Sequence, residues 1–377
     1  MSQVQERPAA PLPEPEVAAR IPFSQRPAAF AFQLLAPVAS LLIAAVIGAL
    51  VILAVQQSWA DVVNVAKAMW SYGLFNRNSL AFILGRSTPL IFAGLAVAVA
   101  FKAGLFNIGV EGQYAIGALC AAFVGYQLSA PTVIHLPLTI LAGMAGGLLW
   151  AVVPAVLKVY RGAHEVISTI MMNYVANGVL LAQLQTPHVE PTARVGSMVS
   201  IFNWIGFRFR ASAPLTWFFV LALVGAVVYV LTVRRTRFGF ELRVLGTNPR
   251  AAEPAGIRSN AMILKAMLLS GAIAGLAGLQ DTLAIDGRMK LDYIRGYGFT
   301  GIAIALLGRN SGGGIVAAAL LFSFLDRASS GIGLNTDVPK EVTSIINGVI
   351  ILTIVIAYEV VRRMAARRQL REQHDRA

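Results

Sequence analysis

Asn107, Glu111 and Gln113 interrupt an apolar stretch, Gly104-Leu105-Phe106-Asn107-Ile108-Gly109-Val110-Glu111-Gly112-Gln113, close after Lys102. In hydrocarbon a freed backbone group costs several kcal/mol, so a glycine-rich break of this kind is tolerated only inside protein or along a wet cavity. A carboxylate there is also costly and is by default a functional candidate. Two roles are open for Glu111: hydrogen-bonding a polar solute, or locking two helices together. Phe106, Asn107 and Gln113 are candidates for lining a path.

A second polar cluster holds Asn173, Tyr174 and Asn177. The two asparagines are four apart and share a helix face, with the tyrosine ring beside it. Amides with an aromatic suit a neutral ring-bearing or hydroxyl-rich solute. Interhelical hydrogen bonds, worth about 0.6 kcal/mol each, are the competing explanation. A third cluster, Gly296-Tyr297-Gly298-Phe299-Thr300-Gly301, opens a short apolar run. The helix ahead of Phe106 is expected to run outside to inside, and the one ahead of Phe299 inside to outside. Glycine-rich breaks at matching places of oppositely oriented halves hint at an inverted repeat with a path between them.

A fourth stretch, 234–260, turns polar and basic, with arginines at 234, 235, 237, 243, 250 and 258. Its small residues Ala251, Ala252, Ala255 and Gly256 would let another backbone come close. A membrane protein exposes such a segment where something in water must touch it, and the arginines place it on the cytoplasmic side.

Motifs for bond-breaking are missing from the sequence. The four histidines are scattered, no His-Glu-x-x-His run offers zinc ligands, and no lysine follows a glycine as a phosphate-binding loop requires. No Gly-x-Ser-x-Gly elbow is present. If ATP drives any work here, its hydrolysis is expected on another polypeptide, with no metal or cofactor held by this chain.

The elements that must position these clusters are membrane helices. The chain of 377 residues is 57% hydrophobic and only 13% charged, against about 25% charged in soluble domains. The net charge of +13 sits mostly at predicted membrane edges, so topology explains it better than nucleic acid does. One cysteine, Cys120, excludes a disulfide framework. A crossing needs about 20 apolar residues, fewer if broken inside protein. Candidates run near 32–55, 80–101, 104–128, 133–157, 165–185, 214–233, 261–283, 298–308, 311–327 and 341–361. The expected fold is an all-α polytopic bundle of about ten transmembrane helices, some broken or short. Residues 1–30 read as a disordered cytoplasmic tail, 31–362 as the transmembrane domain with its loop at 234–260, and 363–377 as a basic cytoplasmic tail. This orientation puts 20 of the 31 Lys and Arg inside and ten outside, with both termini cytoplasmic. The tryptophans of 59–70 recur at helical spacing with Val62, Val63, Ala66 and Met69, as in a helix lying at the interface. Gly143 with Gly147, and Gly271 with Gly275, have the spacing of close helix packing. Arg86 with Asp281, or Asp326 with Arg327, are either ion pairs or snorkelling groups.

Three motifs, GLAVAVAFKAGLFNIGVEGQ (94–113), GAHEVISTIMMNYVA (162–176) and VLGTNPRAAEPAGI (244–257), together resemble the permease subunits of bacterial ABC importers. Their nearer likeness is to the simple-sugar and nucleoside branch, related to branched-chain amino acid permeases. The resemblance spans about residues 35–362. It implies a coupling helix that docks in a groove of the ATPase subunit, here Asn248, Arg250, Ala251, Ala252, Glu253 and Gly256. Pro254 departs from a continuous helix, because an interior proline removes a hydrogen bond and clashes with the preceding turn; it either shortens the coupling helix or begins a second one. The resemblance further implies ATP on partner subunits, a pair of ATPases, a second homologous permease and an extracytoplasmic substrate-binding lipoprotein. The function it implies is alternating-access import of nucleosides or simple sugars across the bacterial inner membrane. A stand-alone secondary transporter or channel is the alternative. That reading needs a mid-membrane acidic cluster, for which only Glu111 is available.

Overall fold

The structure, a computed structural model, describes residues 42–43, 45–54, 57–75, 78–182, 188–204, 209–290 and 295–335, with a few helical positions between 348 and 360. Both predicted tails, the beginning of the 32–55 span and most of the 341–361 span lie outside the described residues. Among those described, regular structure is helical apart from one isolated bridge between Ser197 and Thr216. In chain order come α1 (Ala45–Ala54), α2 (Trp59–Trp70), α3 (Ser79–Lys102), α4 (Val110–Gln127), α5 (Thr132–Arg161), α6 (Glu165–Ala182) and α7 (Val199–Trp204). They are followed by α8 (Phe218–Arg235), α9 (Arg237–Thr247), α10 (Pro249–Ala252), α11 (Ser259–Ala277), α12 (Tyr297–Leu307) and α13 (Gly312–Asn335).

Among the described residues six helices are long and apolar enough to cross a membrane: α3, α5, α6, α8, the stretch Ser259–Ile285 and Gly312–Ile332. The chain is a multi-pass membrane protein. Two expected crossings, α4 and α12, fall outside that criterion. Helix α4 starts only at Val110, after the break at 104–109, and carries Glu111 and Gln113; α12 has 11 residues. In the opposite sense, α13 runs well past the expected end at 327.

Helix α3 is the axis of the bundle. Its apolar window is 78% buried, against 22% for α6 and 28% for α8. Leu90 through Val99 pack there against α4, α8, α12 and α13. Pro89 lies inside α3 and has no N–H to give to the carbonyl four residues back. That carbonyl, of Gly85, accepts instead from Nε2 of Gln280 at 2.9 Å. The freed group is thereby re-satisfied by a neighbouring helix.

Helices α4, α5 and α11 meet through glycines. A Cβ on Gly117 would stand 2.7 Å from the Gly143 carbonyl oxygen and from Cα of Gly275, and one on Gly271 would meet Cβ of Ala151 at 2.6 Å. Gly147 and Gly275 likewise abut the carbonyls of Gly271 and Gly143. The small-residue spacing thus marks close backbone approach, as the sequence implies. Helix α5 ends at Gly162, whose φ of +65° favours glycine, while Ala163 N–H reaches back to the Leu157 carbonyl.

Beneath α3, a smaller cluster ties α9 and α10 to the bundle. Leu242, Leu245, Ala252, Ile257 and Met262 are buried against Ala100, Ala103 and Leu105. Thr236 caps α9, its Oγ1 accepting from Gly239 N–H at 3.1 Å.

Candidate functional site

The two glycine-rich breaks meet in space. Glu111, in the first turn of α4, accepts through Oε1 from Gly296 N–H at 2.8 Å and through Oε2 from Gly298 N–H at 2.7 Å. Those amides belong to the start of α12, where the first N–H groups have no intrahelical partner and the helix dipole favours an anion. Tyr114 donates its hydroxyl to the same Oε1 at 2.7 Å and accepts from Arg295 N–H at 2.8 Å. The carboxylate is 2% exposed, and three donors surround it. Gly298 has no room for a side chain: a Cβ there would lie 2.8 Å from Cα of Glu111.

Just ahead of α4, Asn107 folds the break shut. Its Nδ2 donates to Gln113 Oε1 at 2.9 Å and to Ser270 Oγ at 2.8 Å, and its Oδ1 accepts from Gly109 N–H at 3.0 Å. Ser270 in turn donates its hydroxyl to the Ala96 carbonyl at 2.6 Å. From α6, Asn173 closes the other side, accepting from Gly112 N–H at 2.8 Å and donating to the Ile108 carbonyl at 3.0 Å. Four of the sequence-derived path residues, Asn107, Glu111, Gln113 and Asn173, therefore form one buried polar junction that holds the α4 break to α6, α11 and α12.

The other four lie elsewhere. Phe106 is half-buried, tilted against Phe101 with 5.0 Å between ring centres. Tyr174 is 70% exposed, Asn177 is exposed, and Phe299 points outward from α12. Asn173 and Asn177 do not share an environment, because four residues advance a helix by about 40° beyond a full turn. That rotation carries Asn177 out of the seam with α4.

Tyr114, Ser270, Tyr297 and Asp281 complete the junction; Tyr297 belongs to the third sequence cluster and Asp281 enters the sequence reading only as a possible partner of Arg86, while Tyr114 and Ser270 have no role in it. Tyr114 carried a signal, standing three residues after Glu111 on the same helix face. Ser270, from a distant segment, had none. Asp281 accepts from the Tyr297 hydroxyl at 2.9 Å and lies 3.7 Å from Nε of Arg295. Arg86 pairs with Asp326 at 3.9 Å rather than with Asp281, and Arg327 lies over the rings of Tyr72 and Phe82, 4.3 Å from each. Among the described residues no three His, Cys, Asp or Glu side chains gather closely enough to hold a metal ion.

At one end of the bundle, α9 and α10 present the basic segment. Helix α10 is a single turn, Pro249–Ala252, followed by a turn at 253–256 in which Pro254 stands. Gly256 has a φ of +75°, and its N–H closes the turn onto the Glu253 carbonyl at 2.9 Å. The proline therefore neither extends α10 nor starts a new helix; the next one begins at Ser259. Asn248, Glu253, Ala255 and Gly256 are exposed, whereas Ala252 is buried against its own chain. Arg250 and Ala251 belong to α10.

A family model described as branched-chain amino acid transport system / permease component matches residues 79–355. The chain is 36% identical over 340 residues to the guanosine ABC transporter permease protein NupP of Bacillus subtilis (strain 168), covering 87% of this chain and 94% of that one. It is 33% identical over 330 residues to the glucose ABC transporter permease protein TsgB13 of Haloferax volcanii, covering 85% and 86%. To the nucleoside ABC transporter permease protein NupB of Lactococcus lactis subsp. cremoris it is 29% identical over 314 residues, covering 77% and 84%.

Proposed function

The chain belongs to the permease-component family of branched-chain amino acid-type transport systems, and from that premise we propose how it works. It is the membrane permease of an ATP-driven importer for nucleosides or simple sugars. The observation that carries this reading is the match over residues 79–355 to a permease model, on a body of six apolar helices with an exposed basic segment at one end. Partners of this class supply the ATPase and the solute-binding protein; this chain contributes the path and carries no ATPase site, cofactor or metal.

In this proposal α9, α10 and the turn to Gly256 dock in the ATPase, with Asn248, Arg250, Ala251, Ala252, Glu253 and Gly256 forming the coupling segment. Exposed Glu253 and Gly256 touch the partner, while buried Ala252 transmits its displacement through the Leu245 and Met262 cluster to the foot of α3. Counting α4, α12 and the spans at 32–55 and 341–361 gives ten crossings, with both termini in the cytoplasm and the protein in the bacterial inner membrane. The breaks at 104–109 and 296 are placed as the counterparts of an inverted repeat. Their meeting through Glu111 supports that placement.

A second homologous permease closes against this one. Tyr174, Asn177 and Phe299, exposed on a single chain, then face the solute path together with Phe106, while the junction around Asn107, Glu111, Gln113 and Asn173 shapes its wall. The solute needs no strong site here, since the binding protein supplies affinity and a weak path releases cargo inward.

The test is uptake in liposomes. The chain co-reconstituted with its ATPase, its second permease and the binding protein should import labelled guanosine or glucose only when ATP is supplied. Competition between the two solutes assigns the cargo. Uptake by this chain alone, without a nucleotide-hydrolysing partner, would overturn the proposal in favour of a secondary transporter or channel.

A further inference from the structure

A cavity of about 460 Å³ opens between the ends of α3 and α8, the middle of α9 and the start of α13. Small-molecule sites span roughly 300–1,000 Å³. Three cations line it: Lys102 at the end of α3, Arg234 at the end of α8, and Arg243 on α9. Among the described residues none of the three makes an ion pair. No acidic side chain among the described residues offsets the three converging like charges, and an anion from outside would do so.

Two further features give that anion a chemistry. Gly312, the first residue of α13, lines the cavity, and the start of a 24-residue helix brings partial positive charge. Asn310 also lines it, with Oδ1 buried and lacking any hydrogen-bond partner. Its backbone carbonyl is already held by the Tyr229 hydroxyl at 2.8 Å, which fixes the loop. Convergent arginines and a lysine suit phosphate oxygens. The orphaned amide oxygen asks in addition for a hydroxyl or ammonium donor, so the ligand class is a phosphate ester bearing such a group.

Position favours a lipid as its source. Lys102 and Arg234 end apolar helices of membrane-spanning length, which puts the cavity at the membrane edge. Val227 and Leu231 are exposed on α8 beside it, an apolar flank along which acyl chains can lie. We propose that this cavity binds the phosphate of an anionic phospholipid headgroup at the end of the bundle that carries α9 and α10, bridging the foot of α3 to α9. Basic cavities between membrane helices recognise lipid headgroups on this electrostatic basis.

Native mass spectrometry of the full-length protein, released from nanodiscs of mixed phosphatidylglycerol and phosphatidylcholine, tests it. Phosphatidylglycerol should be retained in preference, and Arg243→Gln and Lys102→Gln should each weaken retention roughly fivefold. Arg161→Gln, an exposed charge at the end of α5, should leave it unchanged. Inorganic phosphate serves as the competing probe. Displacement of the lipid would make the free anion an alternative occupant of the same oxyanion site, and failure to displace would assign the site to the lipid alone. Equal retention of both lipids by the wild-type protein would overturn the proposal whatever the variants do. It would also fall if the assembled transporter excluded phosphatidylglycerol and Arg243→Gln weakened ATPase binding instead, since the cavity would then receive an acidic side chain of the partner.

Discussion

The carboxylate of Glu111 caps the helix that begins beside Gly298, 187 residues further along the chain, through an oxygen-to-nitrogen distance of 2.7 Å. Both members of the pair stand in the first turn of a helix that follows a glycine-rich break. With Gly296 N–H and the Tyr114 hydroxyl on the other oxygen, the geometry of the lock is complete without a solute. Those three donors stand where water would otherwise meet the carboxyl oxygens.

Glu111→Gln removes the charge and turns an NH2 group toward backbone donors. Hydrogen bonds to charged groups contribute about 1.5–3 kcal/mol, and the loss should be of that size, read as a lowered melting temperature of the purified protein in detergent. An unchanged melting temperature with impaired uptake would instead assign Glu111 to the solute.

Asn173 and Asn177 should separate in the same assay. Asn173→Leu strands Gly112 N–H and the Ile108 carbonyl, each otherwise satisfied by that amide. Leaving a buried polar group unsatisfied costs about 1–3 kcal/mol, so the variant should melt early. Asn177→Leu removes an exposed amide and should melt with the wild type. If Asn177 lines the path, this variant alone should lower uptake while the ATPase subunits still bind. Equal melting of the two variants would remove the distinction.

What could be read from the sequence followed from local density of unusual residues. The breaks at 104–109 and 296 show themselves because glycines and polar groups interrupt apolar runs. The glycine spacings at 143/147 and 271/275 show themselves because only close backbone contact needs them. Partners were another matter. Nothing near Glu111 points to Gly296 or Gly298, and Ser270 reaches Asn107 across 163 positions. Nor could spacing fix rotation: Asn173 and Asn177 lie on one stripe by count, yet the seam with α4 is narrower than their angular offset. Arg86 met Asp326 rather than Asp281 because Arg295 and Tyr297, brought in by the turn before α12, had already engaged Asp281.

Gly271→Ala tests the packing of α5 on α11. The added methyl would meet Cβ of Ala151 at 2.6 Å and press on the Gly147 carbonyl, and neither neighbour is the end of a flexible side chain. Overpacking of this kind costs about 1–3 kcal/mol. Gly313→Ala, where a Cβ meets nothing within 4 Å, is the matched control and should be nearly neutral. Thermal unfolding of the two proteins in the same detergent compares them, and equal melting would show that α5 and α11 can separate without loss.

The coupling segment demands a choice of position. Ala252→Arg would force a long charged side chain into the buried cluster with Leu245, Ile257 and Met262, so loss of activity there would report unfolding as readily as lost docking. Glu253 and Ala255 are exposed and make none of the contacts of that cluster. Glu253→Arg and Ala255→Arg should therefore leave the stability within about 0.5 kcal/mol of wild type, as surface substitutions usually do. If the ATPase grips this turn, both should lower solute-stimulated ATP hydrolysis in the assembled complex by tenfold or more, since about 1.4 kcal/mol lost at an interface already reduces affinity tenfold. Full stimulation in Glu253→Arg and Ala255→Arg would place the docking surface elsewhere, with the exposed arginines of α8 and α9 the next residues to exchange.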